Sequence, residues 1–181
     1  FVIAVDDEAP MRLLRLFNEA VGRQALVDKG VSPELVERLD LLGISGIGNM
    51  LAAIKFAKYN ELTEGDYVVS IATDSMQLYG SRLSELTEER GAYSEIAAQQ
   101  DIQLLNSITI DHMKELSYYD KKAIHNLKYY TWIEQQGKDV EELNDQWHDH
   151  NNYWGRTFQQ VDKIDELITE FNNRVGIFTE Q

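Results

Sequence analysis

The sequence predicts an α/β fold: part of a parallel sheet flanked by helices over residues 1 to about 85, followed by an all-helical C-terminal extension. Three observations carry this. Two short apolar runs rich in β-branched residues, "FVIAV" at 1–5 and "YVVSIA" at 67–72, read as strands buried on both faces. The stretch between them has helical spacing, so the order is strand, helices, strand, which calls for parallel pairing. After Gln77 no convincing strand follows, and apolar residues recur at steps of three and four. The expected division is 1–90, an α/β domain, and 91–181, a helical extension.

Val2 to Val5 forms the first strand. It runs into Asp6, Asp7 and Glu8, acidic residues suited to a helix start before Pro10. Leu13, Leu14, Phe17 and Val21 then share one side of a helix. Gly30 caps the end of "LVDKG". Ser32 and Pro33 begin a short helix as N-cap and first residue. After "GISGIG" at 43–48, a helix runs from about Asn49 to Tyr59, apolar nearly all round and therefore deeply packed. "NELTEGD" turns into the second strand, Tyr67 to Ala72. Later helices are expected at Ser94–Asn106, Asp120–Gln136 with a stop at Gly137, Val140–Trp147 and Thr157–Val175. The last carries an amphipathic stripe of Phe158, Val161, Ile164, Leu167, Ile168, Phe171 and Val175.

With 181 residues, 43% hydrophobic and 27% charged, the chain can build an ordinary core. It has no cysteine, hence no disulfide, thiolate metal site or cysteine nucleophile. No apolar run is long enough to cross a bilayer, and a cytoplasmic protein without a membrane partner is expected. The net charge of −14 repels phosphate backbones, which argues against nucleic acid. A chain that opens directly on a buried strand is expected to be one piece of a longer polypeptide.

Two clusters stand out. "GISGIG" is neither the dinucleotide fingerprint nor a P-loop, because its glycines are misplaced and no Gly-Lys-Ser/Thr follows. It does put Ser45 among small residues at a helix N-terminus, where backbone N–H groups favour a polar ligand. Taken alone, close helix packing with Ser45 as a cap explains it better. The second cluster is Thr73, Asp74 and Ser75, at the carboxyl end of the second strand, where open α/β sheets bind ligands. A strand-end turn with a helix cap is the plainer explanation. Together, the clusters can border one crevice.

Over residues 39–83 this pairing resembles the C-terminal part of the pyridoxal-phosphate enzymes of the cysteine synthase and threonine synthase type. In that family a Gly-Ile-Ser-Gly-like segment opens an alanine-rich helix. A following strand ends in a Ser or Thr whose hydroxyl bonds the pyridine nitrogen. The resemblance places the cofactor, pyridoxal 5'-phosphate, beside Gly43, Ser45 and Gly46, and beside one of Thr73, Asp74 and Ser75. An Asp facing the ring would keep its nitrogen protonated, whereas a hydroxyl leaves it neutral. The resemblance implies β-elimination or β-replacement on an amino-acid substrate, in a homo-oligomer. The family's Schiff-base lysine, phosphate loop and substrate-carboxylate loop have no counterpart here. They must come from an N-terminal half, either a missing segment or a separate chain. The alternative function is a non-catalytic helical module that binds a partner through its tail.

Other candidates are weaker. Lys55 and Lys58, on the helix after the glycines, are conceivable substitute Schiff-base lysines, but stems reaching for water fit better. His148, Asp149 and His150 make too few ligands for a metal site, and a polar loop explains them. His112 and His125 fall on expected helices without a ligand set. Ser45 also lacks the spacing of a hydrolase elbow. No residue is assigned a catalytic role and no metal is expected.

Overall fold

A computed structural model describes residues 1–176. It contains two compact units, Phe1–Glu115 and the residues from Leu116 onward. Residues 177–181 of the expected helical extension lie outside the described residues.

The first unit is helical, and the expected parallel sheet is not formed. Helices α1 (Glu8–Asn18), α2 (Ala20–Asp28), α3 (Pro33–Glu37), α4 (Ile44–Tyr59), α5 (Gly80–Arg90) and α6 (Glu95–Asn106) make up most of it. Its sheet is a two-residue antiparallel ladder, β1 (Val2–Ile3) on β2 (Met113–Lys114), with Val2 opposite Lys114 and Ile3 opposite Met113. The expected second strand, Tyr67 to Ala72, has no regular secondary structure and belongs to no ladder. Tyr67 is 92% and Val69 91% exposed. The physical reason is a shortage of neighbours. A strand apolar on both faces needs paired edges and cover on both sides. The segment meets α4 where the Asn49 side-chain amide donates to the Ile71 carbonyl at 3.3 Å, and its side chains stay exposed.

The core gathers where α1, α2, α4 and α6 meet. Leu13, Leu14, Leu16 and Phe17 of α1 pack with Leu26 of α2, Ile47 and Leu51 of α4, Leu86 of α5 and Ala98 of α6. α1 and α2 are separate helices because Glu19 between them is extended. They approach so closely that a Cβ on Gly22 would overlap the Leu16 backbone. Ser32 caps α3 by accepting from the Leu35 amide, with Pro33 at its first position. Ser94 does the same for α6 through the Ala97 amide. A buried polar knot ties this core together. Asp101 accepts from Arg12 and from the Tyr93 hydroxyl, both at 2.6 Å, and Arg15 stacks over the Tyr93 ring while donating to the Gly91 carbonyl.

The second unit contains α7 (Tyr118–Asn126), a π-helical stretch Tyr129–Gln135, α8 (Val140–His148), α9 (His150–Phe158) and α10 (Val161–Val175). Ser117 and Asp120 form a reciprocal capping box at α7. Gly137, at φ +67°, ends the π-helical stretch. The expected helix Thr157–Val175 is divided at residues 159–160. Leu143, Gln146 and His125 form the small buried centre, where the His125 ring bonds the Leu143 carbonyl at 2.9 Å.

Candidate functional site

The expected glycine loop is helix. Gly43 is the N-cap of α4, and Ser45, Gly46 and Gly48 lie in its first turns. Gly43 and Gly46 are buried, whereas Ser45 is exposed. The helix therefore begins five residues before Asn49. Its first-turn amides have no carbonyl one turn earlier within the helix, so they leave a positive end at Gly43.

The chain returns to that point about thirty residues later. The Gly43 amide donates to the Asp74 carbonyl oxygen at 3.0 Å. A Cβ on Gly43 would overlap the Asp74 carboxylate and crowd the Tyr79 ring. The absence of a side chain at Gly43 thus lets the 73–75 segment close onto the start of α4. Asp74 Oδ2 accepts from the Tyr79 hydroxyl at 2.5 Å. Asp74 Oδ1 is buried without a hydrogen-bond partner. Thr73 is exposed and Ser75 half-buried.

Tyr79 was not among the residues singled out from the sequence. Its place is set by a 3₁₀ turn, Met76–Leu78, whose Met76 is buried in the core. The Tyr79 amide closes the turn on the Met76 carbonyl at 2.9 Å. The bond to Asp74, then burial, then the Asp74 charge push the Tyr79 hydroxyl above its ordinary value. Its proximity to a lone Asp five residues earlier was the one available signal.

The two lysines of α4 are not at this cluster. Lys55 is buried and donates to the Ala4 carbonyl at 3.1 Å and to Asp111 Oδ1 at 3.0 Å. It lines a small cavity with Val5, Asp6, Leu51, Thr109 and Asp111. Lys58 donates to the Ile108 carbonyl at 2.6 Å. Both are staples that hold the 108–111 loop, and Lys55 does not reach for water. At 1.5 Å of rise per residue, Lys55 lies roughly 18 Å along α4 from Gly43.

The histidines have local roles. Asp149 caps α9 by accepting from the Asn152 amide. The His148 ring lies 3.5 Å from Lys122 Nζ. His112, expected on a helix, is in a turn at φ +53°. Among the described residues, no group of three or more His, Asp or Glu side chains is placed to hold a metal ion. No single helix among them is long and apolar enough to cross a membrane.

Compared with protein-family models, curated proteins and solved structures, the chain matches none of them.

Proposed function

We propose that this chain is the C-terminal portion, or a subunit, of a cytoplasmic pyridoxal-phosphate-dependent amino-acid enzyme of the cysteine synthase kind, acting by β-elimination or β-replacement. The observation that carries the reading is the Gly43–Asp74 backbone bond. It joins the start of α4 to the polar triad Thr73, Asp74 and Ser75, the two clusters that the resemblance assigns to one cofactor.

The residues present suit the ring side of that cofactor. Asp74 Oδ1 is a buried carboxylate oxygen without a hydrogen-bond partner, packed against Gly43 at the positive end of α4. Ser45, Thr73 and Ser75 add hydroxyls that donate or accept. When bound, the pyridine ring draws electrons from the substrate's α-carbon. This chain's part is to bind and orient the ring. The reactive lysine and phosphate-holding loop are supplied by an N-terminal half, since Lys55 and Lys58 are committed elsewhere. The amino-acid substrate and a homo-oligomeric assembly follow from the same resemblance.

A second reading is a non-catalytic interaction module. It is favoured by α10, whose six apolar stripe residues are 44–60% exposed. The two readings separate on one measurement. The complete polypeptide containing this sequence is purified, supplied with pyridoxal phosphate, and its near-visible absorption recorded before and after borohydride. A band that borohydride removes is the expected result. Protein that takes up no cofactor overturns the enzyme reading.

A further inference from the structure

We propose that the apolar stripe of α10 is a self-pairing surface, on which a second copy of this chain lays its own α10 side by side and in the same direction. The proposal does not rest on the cofactor reading, since no residue near Gly43 or Asp74 takes part. It starts from a mismatch between the helix and its surroundings. α10 has fifteen residues, and each is exposed save the half-buried Asn172. An isolated helix of about that length is marginal in water, and helices in proteins owe most of their stability to a covered apolar face. α10 therefore calls for cover along its stripe.

The spacing of the stripe says what kind of cover fits. Val161, Ile164, Ile168, Phe171 and Val175 recur at steps of three, four, three and four. That is the seam of a helix pair, in which each side chain enters a gap between residues of the facing helix. The seam is narrow, because Gln160, Asp165, Asn172 and Arg174 border it with polar groups and only Leu167 borders it with an apolar one. A helix with the same repeat matches such a seam. A second copy supplies that repeat at equal length, with the two-fold symmetry common to self-pairing surfaces.

The two edges of the seam differ in charge. At 3.6 residues per turn, Asp165 and Asn172 flank one side of it, and Lys163 and Arg174 the other. Helices that run the same way set each edge against its opposite on the partner, so the cations face Asp165 and Asn172. Helices that run opposite ways set like edge against like. Lys163 and Arg174 pair with Glu166 and Glu170 within the helix, at 2.9 and 2.5 Å, through exposed contacts that exchange at little cost. The net charge of −14 repels two copies at long range, but salt near 0.1 M screens that repulsion beyond about 10 Å. The stripe offers on the order of 500 Å² per copy, or about 1,000 Å² for a pair, the lower end for a specific interface. The pairing is therefore weak and reversible, with a dissociation constant of roughly 10–100 µM, and the stripe is free in dilute solution.

The test follows the mass of the complete polypeptide containing this sequence by sedimentation, at concentrations from about 1 to 500 µM. The wild-type mass is expected to double across that range. Ile164→Ser with Phe171→Ser weakens pairing at least about tenfold and keeps the lower mass through most of it. Asp165→Lys gives both edges the same sign and weakens pairing about threefold. Asn173→Lys, which puts a cation on the face opposite the seam, leaves the affinity within about twofold. A wild type of one mass at every concentration, or a double variant that associates as the wild type does, overturns the pairing surface. A double variant whose urea midpoint collapses shows the stripe buried in a core of its own chain and overturns it as well. An Asp165→Lys protein that pairs as tightly as wild type overturns the same-direction arrangement. The readout needs no pyridoxal phosphate, so its failure is distinct from a failure of the enzyme reading.

Discussion

The Gly43 amide donates to the Asp74 carbonyl oxygen at 3.0 Å, and the same glycine leaves no room for a side chain. Gly43→Ala must therefore push the 73–79 segment off the start of α4. Overpacking of this kind costs about 1–3 kcal/mol. Gly48, one turn into the same helix, is the contrast, because a Cβ there meets open space. Gly48→Ala is expected to stabilise by about 0.5–1 kcal/mol through helix propensity. Urea midpoints of the two variants should move in opposite directions; equal shifts would refute the close-approach explanation.

Tyr93 predicts the alkaline limit of the first unit. Burial, then its bond to Asp101, pushes its hydroxyl far above the ordinary tyrosine value. A group raised in the folded state contributes fully below its unfolded value, about 10. Above that pH the unfolded chain releases the proton first, and the contribution is lost. Tyr93→Phe should cost about 1–3 kcal/mol at neutral pH by stranding Asp101 Oδ2. Its stability should then fall less steeply above pH 10 than that of the wild type. Parallel alkaline slopes would show that Tyr93 does not carry the effect.

Local signals were legible in the sequence, and long-range ones were not. Ser32 with Pro33 and Ser94 announced their helices, because a cap bonds within three residues. Gly30 and Gly137 ended theirs at positive φ. Val2–Val5 and Tyr67–Ala72 misled, because an apolar β-branched run records a demand for cover and not the neighbours that supply it. The first found a two-residue antiparallel partner, Met113–Lys114, and the second found none among the described residues. The glycines of 43–48 were read as a loop, although Gly46 and Gly48 are helical once Gly43 is the cap. α5 went unread because "GSRLSELTEER" is too polar to show a stripe. At the candidate site, the two clusters were expected to border one crevice at a strand end; the strand is absent, and a backbone bond from Gly43 to Asp74 joins them instead. Tyr79 was not anticipated, because only the Met76–Leu78 turn aims it there.

Lys55 and Asp111 predict an acid-sensitive staple. The Thr109 hydroxyl, and then the Lys55 ammonium, hold the Asp111 carboxyl below the usual carboxylate value. A depressed carboxyl supports folding above its unfolded value, about 3.9, and loses that support as pH falls through the folded value. Asp111→Asn should therefore differ from wild type at neutral pH and converge with it in acid. Lys55→Met keeps the buried stem but strands the Ala4 carbonyl, at about 1 kcal/mol. A Lys55→Met variant as stable as wild type would mean that the staple holds nothing.

The apolar stripe of α10 predicts an asymmetry between stability and surface behaviour. Ile164, Leu167, Ile168 and Phe171 are about half exposed, so truncating them returns little area to water. Ile168→Ala should change stability by less than about 0.5 kcal/mol. Leu14→Ala, at a fully buried position among α1, α2 and α4, should cost about 2–5 kcal/mol. The stripe nonetheless offers a continuous apolar surface that a hydrophobic dye or a partner helix can cover. Ile164→Ser with Phe171→Ser should therefore lower dye fluorescence while leaving the urea midpoint in place. If the double variant unfolds the protein instead, the stripe is covered in solution and α10 is part of a core.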